Sequence, residues 1–134
     1  MARTALVDTG FLVALLRERD LHREWAESQA AELLPPWLTC EAVLSEAFHL
    51  LASPVGLLEL IRRSQLAVAF EFSREREAVL QLMKRYADLP MGFADACLVR
   101  MSEISTQCTL LTFDSDFLIY RRLGRRSVPT LTPA

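Results

Sequence analysis

Two spacings of apolar residues alternate along this chain. Short, dense apolar runs at Thr4–Val7, Trp37–Thr39, Leu66–Phe72, Cys108–Thr112 and Val128–Leu131 read as buried strands. Between them lie longer stretches with helical character. FLVALLRER follows Gly10, a second helix is expected from Leu21 to Leu34 with Trp25 on its inner side, and Pro35-Pro36 stops it. A third helix is expected over Glu41–Ala52, and a fourth opens at Pro54 and ends in Arg62-Arg63-Ser64. Ser73 is placed to cap a fifth, in which Ala78, Val79, Leu82, Met83 and Tyr86 recur at helical spacing. Asp88–Gly92 reads as a loop, Phe93–Ile104 as a helix and Ser115–Leu123 as a last helix. Short apolar strands alternating with helices predict right-handed crossovers and a three-layer α/β/α fold, its short central parallel sheet covered on both faces. In such sheets ligands bind beyond the carboxyl ends of the strands, where the strand order reverses. Asp8 and Asp114 each end an expected strand, so neighbouring first and Leu110-bearing strands would set both carboxylates in one crevice.

Length and composition narrow this picture. A chain of 134 residues, 51% hydrophobic and 24% charged, suits one core and one domain over residues 1–134. The longest apolar run, Gly10–Leu16, is far short of the ~20 residues a membrane span requires. Met-Ala-Arg-Thr leads directly into a strand, which predicts no signal peptide and a cytoplasmic protein. Cys40, Cys97 and Cys108 have no paired spacing and sit in apolar segments, as reduced, buried cysteines do. The net charge of −2 argues mildly against a nucleic-acid partner. Setting aside Asp8, Glu46, Asp95, Asp114 and Asp116 takes the 17 acids to 12, against 15 bases. Nearly all of these bases are Arg, the side chain suited to bidentate phosphate contact. Arg121, Arg122, Arg125 and Arg126 form one group and Arg62 and Arg63 another; a solvated face explains either group equally simply.

The candidate chemistry lies in the acids. Asp8 falls between apolar LV and TGFLVALL with no cap or cationic partner near it in sequence. Glu46 shares a helical face with Ala42, Val43, His49 and Leu50, so it is expected on a core-facing stripe that needs a partner or a metal. Asp95 falls in a first helical turn, flanking a stripe of Phe93, Cys97, Met101 and Ile104, where it also suits the helix dipole. Asp114 precedes a helix and is a plausible N-cap, with Asp116 two residues on. Two unit charges ~4 Å apart repel by about 4 kcal/mol at an effective dielectric of 20. Four converging carboxylates would therefore favour a divalent cation, which makes metal-assisted phosphodiester chemistry the leading expectation.

These residues also carry a resemblance. VDTG at the start, the glutamate-bearing LSEAFHLL helix, YADLPMGFADACLV and LLTFDSDFLIYRRLG together resemble a PIN-domain ribonuclease, and most closely the VapC-type toxins of bacterial toxin–antitoxin pairs. The last two segments are specific in combination, whereas VDTG alone is weak. The resemblance implies metal ligation and catalysis by Asp8, Glu46, Asp95 and Asp114, with Asp116 contributing directly or through water and Thr112 in support. It implies a homodimer, an RNA substrate and a small antitoxin that lays a segment over the pocket. An oxygen-only ligand set suits Mg²⁺ or Mn²⁺ and not zinc. Hydrolysis by metal-activated water would leave a 5′-phosphate and a 3′-hydroxyl. His22 and His49 suit surface or satisfied core positions.

Competing readings fare worse. Asp-Thr-Gly also occurs in dimeric aspartic proteases, but that fold is all-β and glycine-rich, and here an apolar helix follows Gly10. An aspartate-nucleophile phosphatase would want an acid where Gly10 stands. A receiver-type phosphoacceptor needs a lysine at its pocket, and the sole lysine is Lys84 in mid-helix. No phosphate-binding G-x-x-x-x-G-K-[ST] loop is present. The remaining alternative is a catalytically silent binding or scaffold module that keeps the acidic pocket. The crowded Leu57, Leu58, Leu60 and Ile61 after Pro54 would serve a partner if exposed, or simply pack in the core.

Overall fold

The computed structural model describes residues 3–133. Five strands, β1 (Thr4–Val7), β2 (Trp37–Thr39), β3 (Leu66–Val68), β4 (Cys108–Leu111) and β7 (Thr130–Leu131), form one parallel sheet in the order β3-β2-β1-β4-β7. Six helices flank it: α1 (Thr9–Leu16), α2 (Arg23–Glu32), α3 (Glu41–Leu50), α4 (Val55–Arg62), α5 (Phe72–Arg85) and α6 (Phe93–Ile104). The expected α/β/α architecture is thus present. The chain leaves β1 toward β2 and β3 on one side and returns to β4 on the other, so the strand order reverses between β1 and β4. Those two strands run in register from Thr4↔Cys108 to Val7↔Leu111.

Burial follows from the sequence pattern. Leu6, Val7, Leu110 and Leu111 are fully enclosed at the sheet centre, as strands covered on both faces require. Helix α1 is apolar nearly all round and buries Phe11, Leu12, Val13 and Ala14, with the Phe11 ring set edge-on to Trp25 and Trp37 at 6.2 and 5.8 Å. Helix α4 buries Leu57 and leaves Val55 and Leu58 exposed. Cys40, Cys97 and Cys108 are free thiols in the core. Among the described residues no helix is long and apolar enough to cross a membrane.

Several element boundaries differ from expectation. Helix α1 starts at Thr9 and not after Gly10, because Asp8 caps it. Helix α2 is shorter at both ends than the apolar pattern suggested, and α3 starts at Glu41 as expected but ends at Leu50. Strand β3 stops at Val68 because its only neighbour, β2, stops at Thr39; the Ala69 N–H to Thr39 carbonyl bond at 3.1 Å is the last between them. Residues 69–71 then turn, and α5 begins at Phe72 with Glu71, not Ser73, in the cap position. Strand β7 begins at Thr130 and not at Val128, after Pro129, which has no N–H to give.

The helix expected over Ser115–Leu123 is a single 3-10 turn, Ser115–Leu118, followed by a hairpin of β5 (Arg121–Arg122) and β6 (Arg126–Ser127). Leu123 and Gly124 turn the hairpin with φ of 52° and 87°. Tertiary bonds override the helical tendency: Leu123 N–H donates to Glu103 at 2.7 Å, and Arg85 donates to the Gly124 carbonyl at 2.6 Å. The same hairpin breaks up the expected arginine cluster. Arg122 is buried and donates to the Ser102 carbonyl in the last turn of α6 and to the Thr106 carbonyl beyond it, and Arg121 donates to the carbonyls of Leu118, Ile119 and Tyr120. Arg62 and Arg63 both face Glu59. Left-handed backbone costs a non-glycine residue roughly 1–2 kcal/mol. Leu123→Asn is therefore expected to stabilise the protein by about 0.5–1 kcal/mol, measured as a rise in the denaturant midpoint at unchanged slope.

Candidate metal centre

The reversal point of the sheet builds the site. Asp8 leaves the end of β1 in extended backbone and caps α1; its Oδ1 accepts from Thr9 N–H at 2.7 Å and its Oδ2 from the Thr112 hydroxyl at 2.7 Å. This corrects the expectation that Asp8 lacks a cap role or partner: its first donor is its next neighbour, and the second lies more than a hundred residues away. Thr112, buried just past β4, also accepts from Asp114 N–H at 3.0 Å, so one hydroxyl sets both carboxylate-bearing turns. Asp114 caps the 3-10 turn, accepting from Asp116 N–H at 2.9 Å.

Glu46 comes from α3. It is exposed, not core-facing, because the buried stripe of α3 is Val43 and Ala47. It nevertheless reaches the same place, where its Oε2 accepts from the Thr9 hydroxyl at 2.9 Å. Asp95 is half-buried in the first turn of α6, and its Oδ2 accepts from the buried Tyr120 hydroxyl at 3.0 Å. Helix α6 is buried on most of its surface between Ala94 and Ser102, Cys97 and Met101 included; Phe93 and Ile104, expected on the same stripe, are exposed.

Asp8, Glu46, Asp95 and Asp114 line a single cavity of about 350 Å³ together with Thr9, Gly10 and Phe113. Asp116 does not line it; it stands in the 3-10 turn beside Asp114. Neither Thr9 nor Tyr120 was identified from sequence. Thr9 adjoins Asp8 in the DTG triplet and could have been, whereas no local signal ties Tyr120 to a residue 25 positions earlier. Gly10 is needed for a close approach, since a Cβ there would lie 2.8 Å from the Phe113 ring.

The electrostatics are one-sided. Among the described residues none of the four acids is paired with a cation. Burial pushes the Asp8 carboxyl up, against the Thr112 and Thr9 bonds, with Asp114 and Glu46 adding to the rise. Asp95 is pushed up to about 7, first by burial and then by the charge of Asp8, with further contributions from Asp114 and Glu46. Tyr120→Phe removes the bond that favours ionised Asp95. It is expected to raise the Asp95 pKa further, by about one unit, in a carboxyl-carbon NMR titration.

The all-oxygen donors and the uncompensated negative charge fit a hard divalent cation. As the side chains stand, no set of three or more His, Cys, Asp or Glu among the described residues is arranged to hold one ion. The PIN domain family model matches residues 5–123 of the chain. No curated protein matches it.

Proposed function

The chain belongs to the PIN domain family, whose members are generally nucleases that commonly depend on divalent metal, and from that premise we propose that it is a metal-dependent endoribonuclease acting as a single domain. One observation carries this reading: four carboxylates from four separate elements line one cavity without a cation, and burial, reinforced by the neighbouring acids, pushes Asp95 up to about 7. Asp8, Glu46, Asp95 and Asp114 are the proposed ligands and catalytic residues, with Asp116 contributing from the adjacent turn and Thr112 orienting Asp8. Mg²⁺ or Mn²⁺ bound there would polarise the phosphate, activate water and neutralise charge on the leaving oxygen. The protein's own part is to fix the donors: Thr9 holds Asp8 and Glu46, Thr112 holds Asp8 and the Asp114 turn, and Tyr120 holds Asp95.

We further read the chain as the toxin of a type II toxin–antitoxin pair, a cytoplasmic homodimer held by a small antitoxin protein. The support is the sequence resemblance together with exposed apolar residues such as Val55 and Leu58 on α4. The testing experiment incubates a mixed RNA pool with Mg²⁺ or Mn²⁺, with and without chelator, and identifies the new ends. Cleavage that needs the metal and leaves 5′-phosphates is expected. Recovery of 2′,3′-cyclic phosphates would overturn the mechanism. Absence of any cleavage would leave the non-cleaving scaffold as the better account.

A further inference from the structure

The carboxyl edge of the sheet carries hollows in strand order. The acid cavity lies past β1 and β4, and a second hollow, of about 300 Å³, lies past β4 and β7. His22, Phe113, Ser115, Leu118, Thr132 and Pro133 line this second hollow. Phe113 is a wall of both, so the two spaces meet across one aromatic ring. That ring is held on three sides. It fills the space left by the absent Cβ of Gly10, lies 5.5 Å from the Trp25 ring, and stacks on His22 at 4.8 Å with 29° between planes. Leu118 forms an apolar wall although it is 62% exposed.

A third hollow, of about 540 Å³, lies on the other side, past β2 and β3; Glu41, Glu71 and Arg74 line it, with Arg74 paired to Glu71. Glu41 there adds a carboxylate that disfavours a phosphate backbone, whereas no acid lines the Phe113–His22 hollow. We infer that the hollow of His22, Phe113 and Leu118 is a subsite for a nucleobase of single-stranded RNA, next to the bond cut at the acid cavity. This inference rests on the nuclease reading above. A base unstacked from its neighbours continues the Phe113–His22 stack, with Leu118 and Pro133 enclosing it. The Ser115 and Thr132 hydroxyls reach its polar edge. Stacking on aromatic side chains is how unpaired bases are commonly held, and it tolerates different sequences.

The test is steady-state cleavage of short single-stranded RNAs in which one abasic residue is moved along the strand. For the wild-type protein, an abasic residue at one position beside the cut is expected to raise KM about tenfold with kcat changed less than about twofold. Leu118→Asp and His22→Ala are each expected to raise KM for intact RNA by a similar factor. In both variants the abasic residue at that position should then cost little more. Wild-type cleavage combined with an unchanged KM in both variants would overturn the subsite alone. So would an abasic penalty that persists in the variants. If both variants cleave normally but lose a co-expressed protein partner, the hollow belongs to that partner and not to RNA. A wild-type protein that cleaves no RNA with either metal defeats the nuclease reading itself.

Discussion

Asp8→Asn is expected to lower RNA cleavage by at least about 100-fold while raising the thermal stability of the metal-free protein at neutral pH. The two effects share a cause. Asp8 is the most buried of the four acids, and burial, Asp114 and Glu46 all oppose its charge. Asparagine keeps an oxygen for Thr9 N–H, so the cap of α1 survives, and its amide can donate to the Thr112 hydroxyl. What it removes is a desolvated anion, which costs stability when no cation is bound. It also removes the proposed metal ligand; loss of mere supporting contacts to a metal site already costs about 10–100-fold. Cleavage rates and melting temperatures of the two proteins, with chelator present in the melts, check both halves. Near-normal cleavage by the variant would remove Asp8 from the mechanism. A clearly lower melting temperature would mean that Asp8 contributes structure more than stored repulsion.

The second large effect is in the pH dependence of stability, and its sign is opposite to that of a paired carboxylate. Asp95 is pushed from the ordinary 3.8 up to about 7, and Asp8 is raised as well. Between those limits the folded chain holds protons that the unfolded chain has released, so stability falls as pH rises through this window. It is fully present below the ordinary aspartate value and is lost as pH rises toward 7. A shift of this size corresponds to about 4 kcal/mol for a fully desolvated group, which partial exposure of Asp95 reduces to roughly 1–2 kcal/mol. About half of that window lies above pH 5.5, so the metal-free protein should melt about 3 °C lower at pH 8 than at pH 5.5. Asp95→Asn should flatten the curve, and saturating Mg²⁺ or Mn²⁺ should raise the pH 8 value. A wild-type curve that rises with pH, or one unchanged by Asp95→Asn, would contradict the placement of Asp95 among like charges.

Much of the fold was legible because its elements are locally encoded. The five apolar runs that mark the sheet strands and the Pro35-Pro36 stop are signals a few residues long. Misjudged boundaries fell where distant groups decide. β3 ended with its partner β2, and the expected last helix gave way to a hairpin held by Glu103 and Arg85. The site followed the same division. Asp8 and Asp114 could be placed from their positions at strand ends. The exposure of Glu46 could not, because a helix with apolar residues on several faces does not reveal which one its neighbours cover. Tyr120, the donor to Asp95, was invisible because no local signal ties it to a residue 25 positions earlier.

By itself the sequence determined the sheet strands, the six helices and which residue types were available for hard-cation chemistry, since backbone preference and apolar spacing act between near neighbours. The tertiary structure alone decided that β1 lies against β4, and with it that acids up to 106 positions apart share one cavity. Which carboxylates are desolvated, which neighbour raises which, and that Phe113 divides two hollows depend on strand order and packing, interactions that no local window contains.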